Sequence, residues 1–144
     1  MNNSIERLES IKAGSCGAIA AGIGYGAVAI GVDWFARSGI FNSLPTLTFD
    51  LNTLLQLAIA ATGGFLFGMT YRYIIRTDRN HHLKSGAVLA FGLVRGLAQV
   101  EVTDFALDRL LLNGVLVVES LLVFAIARYA LDYALAVRWI APFK

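Results

Sequence analysis

Four long apolar stretches alternate with short polar links along the chain. They cover residues 11 to 32, 51 to 71, 84 to 102 and 110 to 131. Each is close to the roughly 20 residues that a helix needs to cross about 30 Å of hydrocarbon. Apolar and polar positions do not alternate with a period of two, and Ala, Leu and Gly dominate, so the pattern predicts helices and not strands. The first stretch is too long for the apolar core of a cleaved leader, about 7–15 residues, and is read as a retained span. Thr48 or Asp50 is placed to cap the second helix, and Pro142 stops any extension of the fourth.

The polar links carry a charge code. Arg7, Lys12, Arg72, Arg76, Arg79, Lys84, Arg128, Arg138 and Lys144, nine of the 12 basic residues, fall at the two chain ends or in the middle link. The other two links hold Asp33, Asp50, Glu101, Asp104 and Asp108, with only Arg37 and Arg109 as positive residues. The bias of Lys and Arg toward the inner side predicts a multi-pass integral membrane protein with both termini cytoplasmic, or on the stromal side of a thylakoid. Tyr71, Tyr73, Tyr129, Tyr133 and Trp139 gather on that side, and Trp34 with Phe35 on the other, as interfacial aromatics do.

Composition agrees. The chain has 144 residues, 57% of them hydrophobic and 15% charged, with a mean hydropathy of +0.65. Water-soluble domains carry about 25% charged residues, so the bilayer is the expected solvent. The expected fold is all-α: one transmembrane domain, 1–144, of four helices.

The two halves resemble each other, with repeats at about 5–76 and 79–140. Gly22 and Gly26 match Gly92 and Gly96, the run 49–55 matches 105–111, and Arg72-Tyr73 matches Arg128-Tyr129. Duplication of a two-helix hairpin predicts copies of equal orientation, related by a pseudo-twofold along the membrane normal. Small residues four apart let helix backbones approach closely. Gly22 and Gly26, Gly64 and Gly68, and Gly92 and Gly96 are therefore candidate packing positions, with the first and third helices crossing at the pseudo-axis.

Two charges lie inside the apolar runs. Arg95 is about 16 Å beyond Lys84 and Glu119 about 14 Å beyond Leu110 at 1.5 Å per residue, so their depths coincide. A lone charge there costs roughly 2.5–3.5 kcal/mol on insertion scales, which predicts an intramembrane Arg95–Glu119 ion pair. Arg72 with Tyr73 and Arg128 with Tyr129 are expected as interface anchors that snorkel to the headgroups. Cys16 is alone, so no internal disulfide forms. His81 and His82 lack a carboxylate or cysteine at ligand spacing, so no metal is expected.

No phosphate-binding loop, dinucleotide fingerprint, metalloprotease helix or nucleophile elbow is present. The expectation is a non-enzymatic accessory or assembly subunit, without cofactor or nucleic-acid partner, whose partners are the bilayer and a larger membrane complex or further copies of itself. The alternative is a small homo-oligomeric channel or transporter with a polar Arg95/Glu119 site.

Overall fold

A computed structural model describes residues 3–39, 48–75, 80–100 and 107–143, apart from the side chains of Asn3 and Asp108. Arg76, Arg79, Glu101, Asp104 and Lys144, used above for links and charges, lie outside the described residues. The chain forms four α-helices: α1 Asn3–Arg37, α2 Leu51–Ile75, α3 His81–Ala98 and α4 Leu107–Ala136. They pack as a bundle in which α1 meets α2, α2 meets α3, α3 meets α4 and α4 returns to α1, with α2 and α4 also touching across the centre.

Three of the helices, in the segments Ser4–Arg37, Leu51–Ile75 and Arg109–Ala136, are long and apolar enough to cross a membrane. The expected third span is shorter than it should be. Helix α3 has 18 residues, about 27 Å, and His81, His82, Lys84 and Arg95 dilute its apolar run. Large side chains on the bundle's outside are aliphatic or aromatic, as at Ile19, Ile23, Ile30, Leu54, Leu66, Leu97, Leu110 and Val118. Exposed hydroxyls are satisfied within their own helix: Thr62 Oγ1 donates to the Ala58 carbonyl and Thr70 Oγ1 to that of Leu66, both at 2.8 Å. A hydroxyl bonded this way can face lipid without leaving an unmet donor.

Local chemistry sets the helix ends. Asp50 caps α2, accepting from the Thr53 N–H and Thr53 Oγ1, each at 3.0 Å. The bond from the Thr53 backbone, then that from its hydroxyl, holds the Asp50 carboxyl below the usual carboxylate range. Asn80 caps α3 through its side chain, which accepts from the His82 N–H at 3.0 Å. Helix α4 ends where Arg138 takes φ 57°, a left-handed conformation that L side chains other than Asn and Asp seldom adopt. There Trp139 N donates to the Ala134 carbonyl at 3.0 Å, and the turn aims Ile140, 0% exposed, back into the bundle.

Glycine decides which helices come close. A Cβ on Gly17 would strike the Gly64 carbonyl, and one on Gly68 the Ala13 carbonyl, so α1 and α2 touch backbone to backbone. On the other side, a Cβ on Gly92 would lie 3.0 Å from Leu121 Cα and one on Gly96 2.7 Å from Val117 Cα, so α3 lies directly on α4. The expected crossing of the first and third helices is not formed. A Cβ on Gly22 meets only Leu57 Cδ1 at 3.7 Å, and one on Gly26 meets nothing within 4 Å. The Gly64/Gly68 and Gly92/Gly96 ridges each pack within their own hairpin instead. The partner of Gly64 is the ridge Ala13, Gly17, Ala21, one turn nearer the N-terminus than Gly22 and Gly26.

Candidate functional site

Polar groups inside the bundle are stacked in layers along its axis. At the end that holds the chain termini, Arg72 is 2% exposed. Its Nη1 donates to Ser10 Oγ at 2.7 Å and to the Glu6 carbonyl at 3.1 Å, its Nε donates to the Ala141 carbonyl at 2.8 Å, and its Nη2 pairs with the Glu6 carboxylate. Ala141 N in turn donates to Glu9 Oε2 at 2.8 Å. Tyr73 lies 3.0 Å from Ser10 Oγ and packs on Phe143, ring centroids 4.9 Å apart. The expected snorkelling anchor is thus a buried keystone joining α1, α2 and the C-terminal tail. A guanidinium has five donors in a fixed fork, and here two carbonyls, a hydroxyl and a carboxylate engage four of them inside the bundle.

Arg128 behaves differently. Its Nη1 donates to Ser85 Oγ at 3.1 Å, its Nε is 3.6 Å from Asp132 Oδ2, and its guanidinium lies 5.9 Å from the ring centroid of the exposed Tyr129. Asp132 also accepts from Lys84 Nζ and from the Tyr71 hydroxyl, both at 2.8 Å. No local pattern marks this second network, because its members are 48 and 61 residues apart.

Next along the axis comes a dry layer. Phe67, Phe91 and Phe124, from α2, α3 and α4, meet with ring centroids 5.3 to 5.7 Å apart. Edge-to-face and tilted contacts of this kind are favourable beyond the area they bury.

Beyond the phenylalanines, α3 stops. Arg95 is in its last turn, where a positive charge suits the helix dipole, while α4 runs on about 18 Å from Glu119 to Leu107. Over that stretch the described chain leaves a cleft of about 360 Å³, lined by Tyr25 of α1, by Asn52, Thr53 and Gln56 of α2, by Glu119 of α4, by Gln99, and at its mouth by Asp50. Glu119 also borders an apolar groove between α1 and α4 that runs past Val28, Val32, Gly114, Val118 and Leu122.

Arg95 and Glu119 are brought to one level but do not pair. Gly92 and Gly96 occupy the stripe of α3 that faces α4. Arg95, about 100° round the helix from Gly96, turns toward α1 and lies 5.6 Å from the Tyr25 ring centroid. It is 8% exposed, and its three guanidinium nitrogens have no hydrogen-bond partner among the described residues. Gln99 braces this end of α3 by donating to the Arg95 carbonyl at 3.2 Å and to the buried Ser120 Oγ at 3.0 Å.

Among the described residues no group of three or more His, Cys, Asp or Glu is placed to hold a metal ion. Cys16 is a half-buried free thiol, and His81 and His82 open α3 at the surface. No protein family model, no curated protein and no solved structure matches this chain.

Proposed function

We propose that the chain is a non-enzymatic integral membrane subunit that packs laterally against a larger membrane complex. The observation that carries this reading is on the outside of the bundle. A Cβ added at Gly26 or Gly31 of α1, or at Gly114 of α4, would meet nothing within 4 Å, and aliphatic side chains such as Ile23, Ile30 and Leu110 surround these open positions. Open glycines on a helix that faces lipid are sites where another helix can approach closely and gain dispersion contacts. Both termini and the Arg72–Lys84 link belong on the cytoplasmic or stromal side, since the basic residues concentrate there. The two hairpins, each closed by its own small-residue crossing, fit an origin by duplication.

Native-gel migration after mild detergent extraction tests the proposal. Co-migration with a large complex supports it; a discrete small oligomer of this chain alone refutes it.

The cleft favours a second reading, a small homo-oligomeric transporter or channel with a polar Arg95/Glu119 site. Along the axis of one protomer the Phe67–Phe91–Phe124 layer blocks the way, so a continuous path would run between protomers. Replacing Arg95 with Met and Glu119 with Leu together separates the two: an accessory subunit still assembles, whereas a transporter loses flux.

A further inference from the structure

Two spaces of unlike character meet at Glu119. The polar cleft, about 360 Å³, and the apolar groove between α1 and α4, about 390 Å³, share Val32 and Glu119 in their linings, so they adjoin along these two helices. Glu119 is the only charged side chain that lines the groove, whose other residues are Val, Leu and Gly. Among the described residues it makes neither a hydrogen bond nor an ion pair, a costly state for a charge at this depth of a span. The second carboxylate of the cleft, Asp50, is already engaged in capping α2. No described Lys, Arg or His lines either space. Arg95 lies over the Tyr25 ring and outside both linings.

We propose that this junction binds an amphiphilic monovalent cation, its ammonium on Glu119 and its hydrocarbon chain along the groove. Charge complementarity selects the head. An anion would face Glu119 and Asp50 with no basic side chain in the lining to receive it. Two carboxylates in the cleft against the one guanidinium beside Tyr25 leave a net single negative charge, which one ammonium cancels. The amide oxygens of Asn52, Gln56 and Gln99 add acceptors for its remaining N–H groups. The groove selects the chain. From Glu119 to Leu110 it follows α4 for about 14 Å, past Gly114, where a Cβ would meet nothing within 4 Å. An inorganic cation would use the cleft alone, and no described group of three or more His, Cys, Asp or Glu is placed to hold one. A neutral lipid chain would fill the groove and leave Glu119 unmet. Each space falls within the range of about 300–1,000 Å³ usual for small-ligand sites. The inference stands on one chain's cleft and groove, not on assembly with a larger complex.

The test uses the purified full-length chain in phosphatidylcholine nanodiscs, titrated calorimetrically against empty discs. The probe is decylammonium. Methylammonium presents the head alone, decanol the chain alone and decanoate the opposite charge. Decylammonium binds the loaded discs saturably, above its partition into empty ones, while methylammonium and decanol bind roughly tenfold more weakly or worse and decanoate only partitions. Glu119→Gln weakens decylammonium binding roughly tenfold or more, as loss of a charged hydrogen bond implies. Gly114→Leu grows a side chain into the groove, weakens binding several-fold without touching a charge, and keeps the test in hand if Glu119→Gln fails to fold. Arg95→Met removes a nearby like charge and tightens binding. Equal affinity for decanol marks the groove as ordinary acyl-chain surface, and absence of saturable decylammonium binding leaves it to a partner helix; either result overturns the proposal. So does an affinity that survives Glu119→Gln or Gly114→Leu. Native-gel migration is read without added amine, so the lateral-packing proposal stands or falls separately.

Discussion

Replacing Arg72 with Met tests the keystone at the terminal end most directly. Met keeps much of the volume and loses every donor. The substitution strands the Glu6 carboxylate and the Ala141 carbonyl and takes one donor from the Glu6 carbonyl and from Ser10 Oγ, which keep each other and Tyr73. Breaking a buried ion pair by removing one partner costs about 3–5 kcal/mol. The Arg72 side chain is 1% exposed but that of Glu6 is 23% exposed, so water partly rescues the carboxylate and the lower figure applies, about 3 kcal/mol. Arg72→Lys keeps the charge and some of the donors and loses about half as much. Glu6→Gln in the Arg72→Met background then costs less than in the wild type, because the partner is already gone. Reversible unfolding in mild detergent, followed by tryptophan fluorescence and circular dichroism, measures all four variants. The tail should also loosen, with the Ala141 N–H exchanging faster with solvent. An Arg72→Met protein within about 0.5 kcal/mol of wild type, the scatter of ordinary surface changes, would refute this account of how the terminal end is held.

Other substitutions probe the remaining features. Gly64→Ala pushes a methyl into Ala21 and the Gly17 carbonyl and destabilises by about 1–3 kcal/mol in the same unfolding assay, whereas Gly26→Ala, in open space, changes stability little. Arg138→Gly relieves the left-handed backbone at φ 57° and raises stability by about 1 kcal/mol. Asp50 has its folded-state pKa depressed by bonds from Thr53, so its contribution is complete above the ordinary Asp range and fades as pH falls through its folded value. Asp50→Asn keeps the cap and removes that acid-side slope, which unfolding at several pH values would reveal. Lys84→Met frees Asp132 from its 2.8 Å partner and costs about 1 kcal/mol, since both side chains are partly exposed.

How much of this could be read from the chain beforehand differs by level. The helices were legible because four apolar runs stand apart from polar links. The rotation of each helix was not. Helices α1 and α2 are apolar on most faces, and without a polar stripe the sequence does not say which side turns inward. That is why the four-residue spacing points to Gly22 and Gly26 and not to Gly17, which packs on Gly64. Its signal was present in the ridge Ala13, Gly17, Ala21 but looked no different from its neighbours. Arg95 and Glu119 announced themselves as charges among aliphatics, and their common depth followed from counting residues. Their failure to pair did not, because it depends on α3 turning Gly92 and Gly96 toward α4. Arg72 and Asp132 were invisible as hubs, since their partners come from distant parts of the chain.

The thin aromatic partition has an electrical corollary. In an energised membrane, water filling the cleft would carry the potential of one bathing solution down to Tyr25, and the charged network at Asp132 would sit close to that of the other. Most of the voltage would then drop across three phenylalanine rings instead of the whole bilayer, a steep local field. A unit charge carried from one side of the three rings to the other would gain or lose nearly the full energy of about 2.3 kcal/mol per 100 mV, over a far shorter path than the whole bilayer.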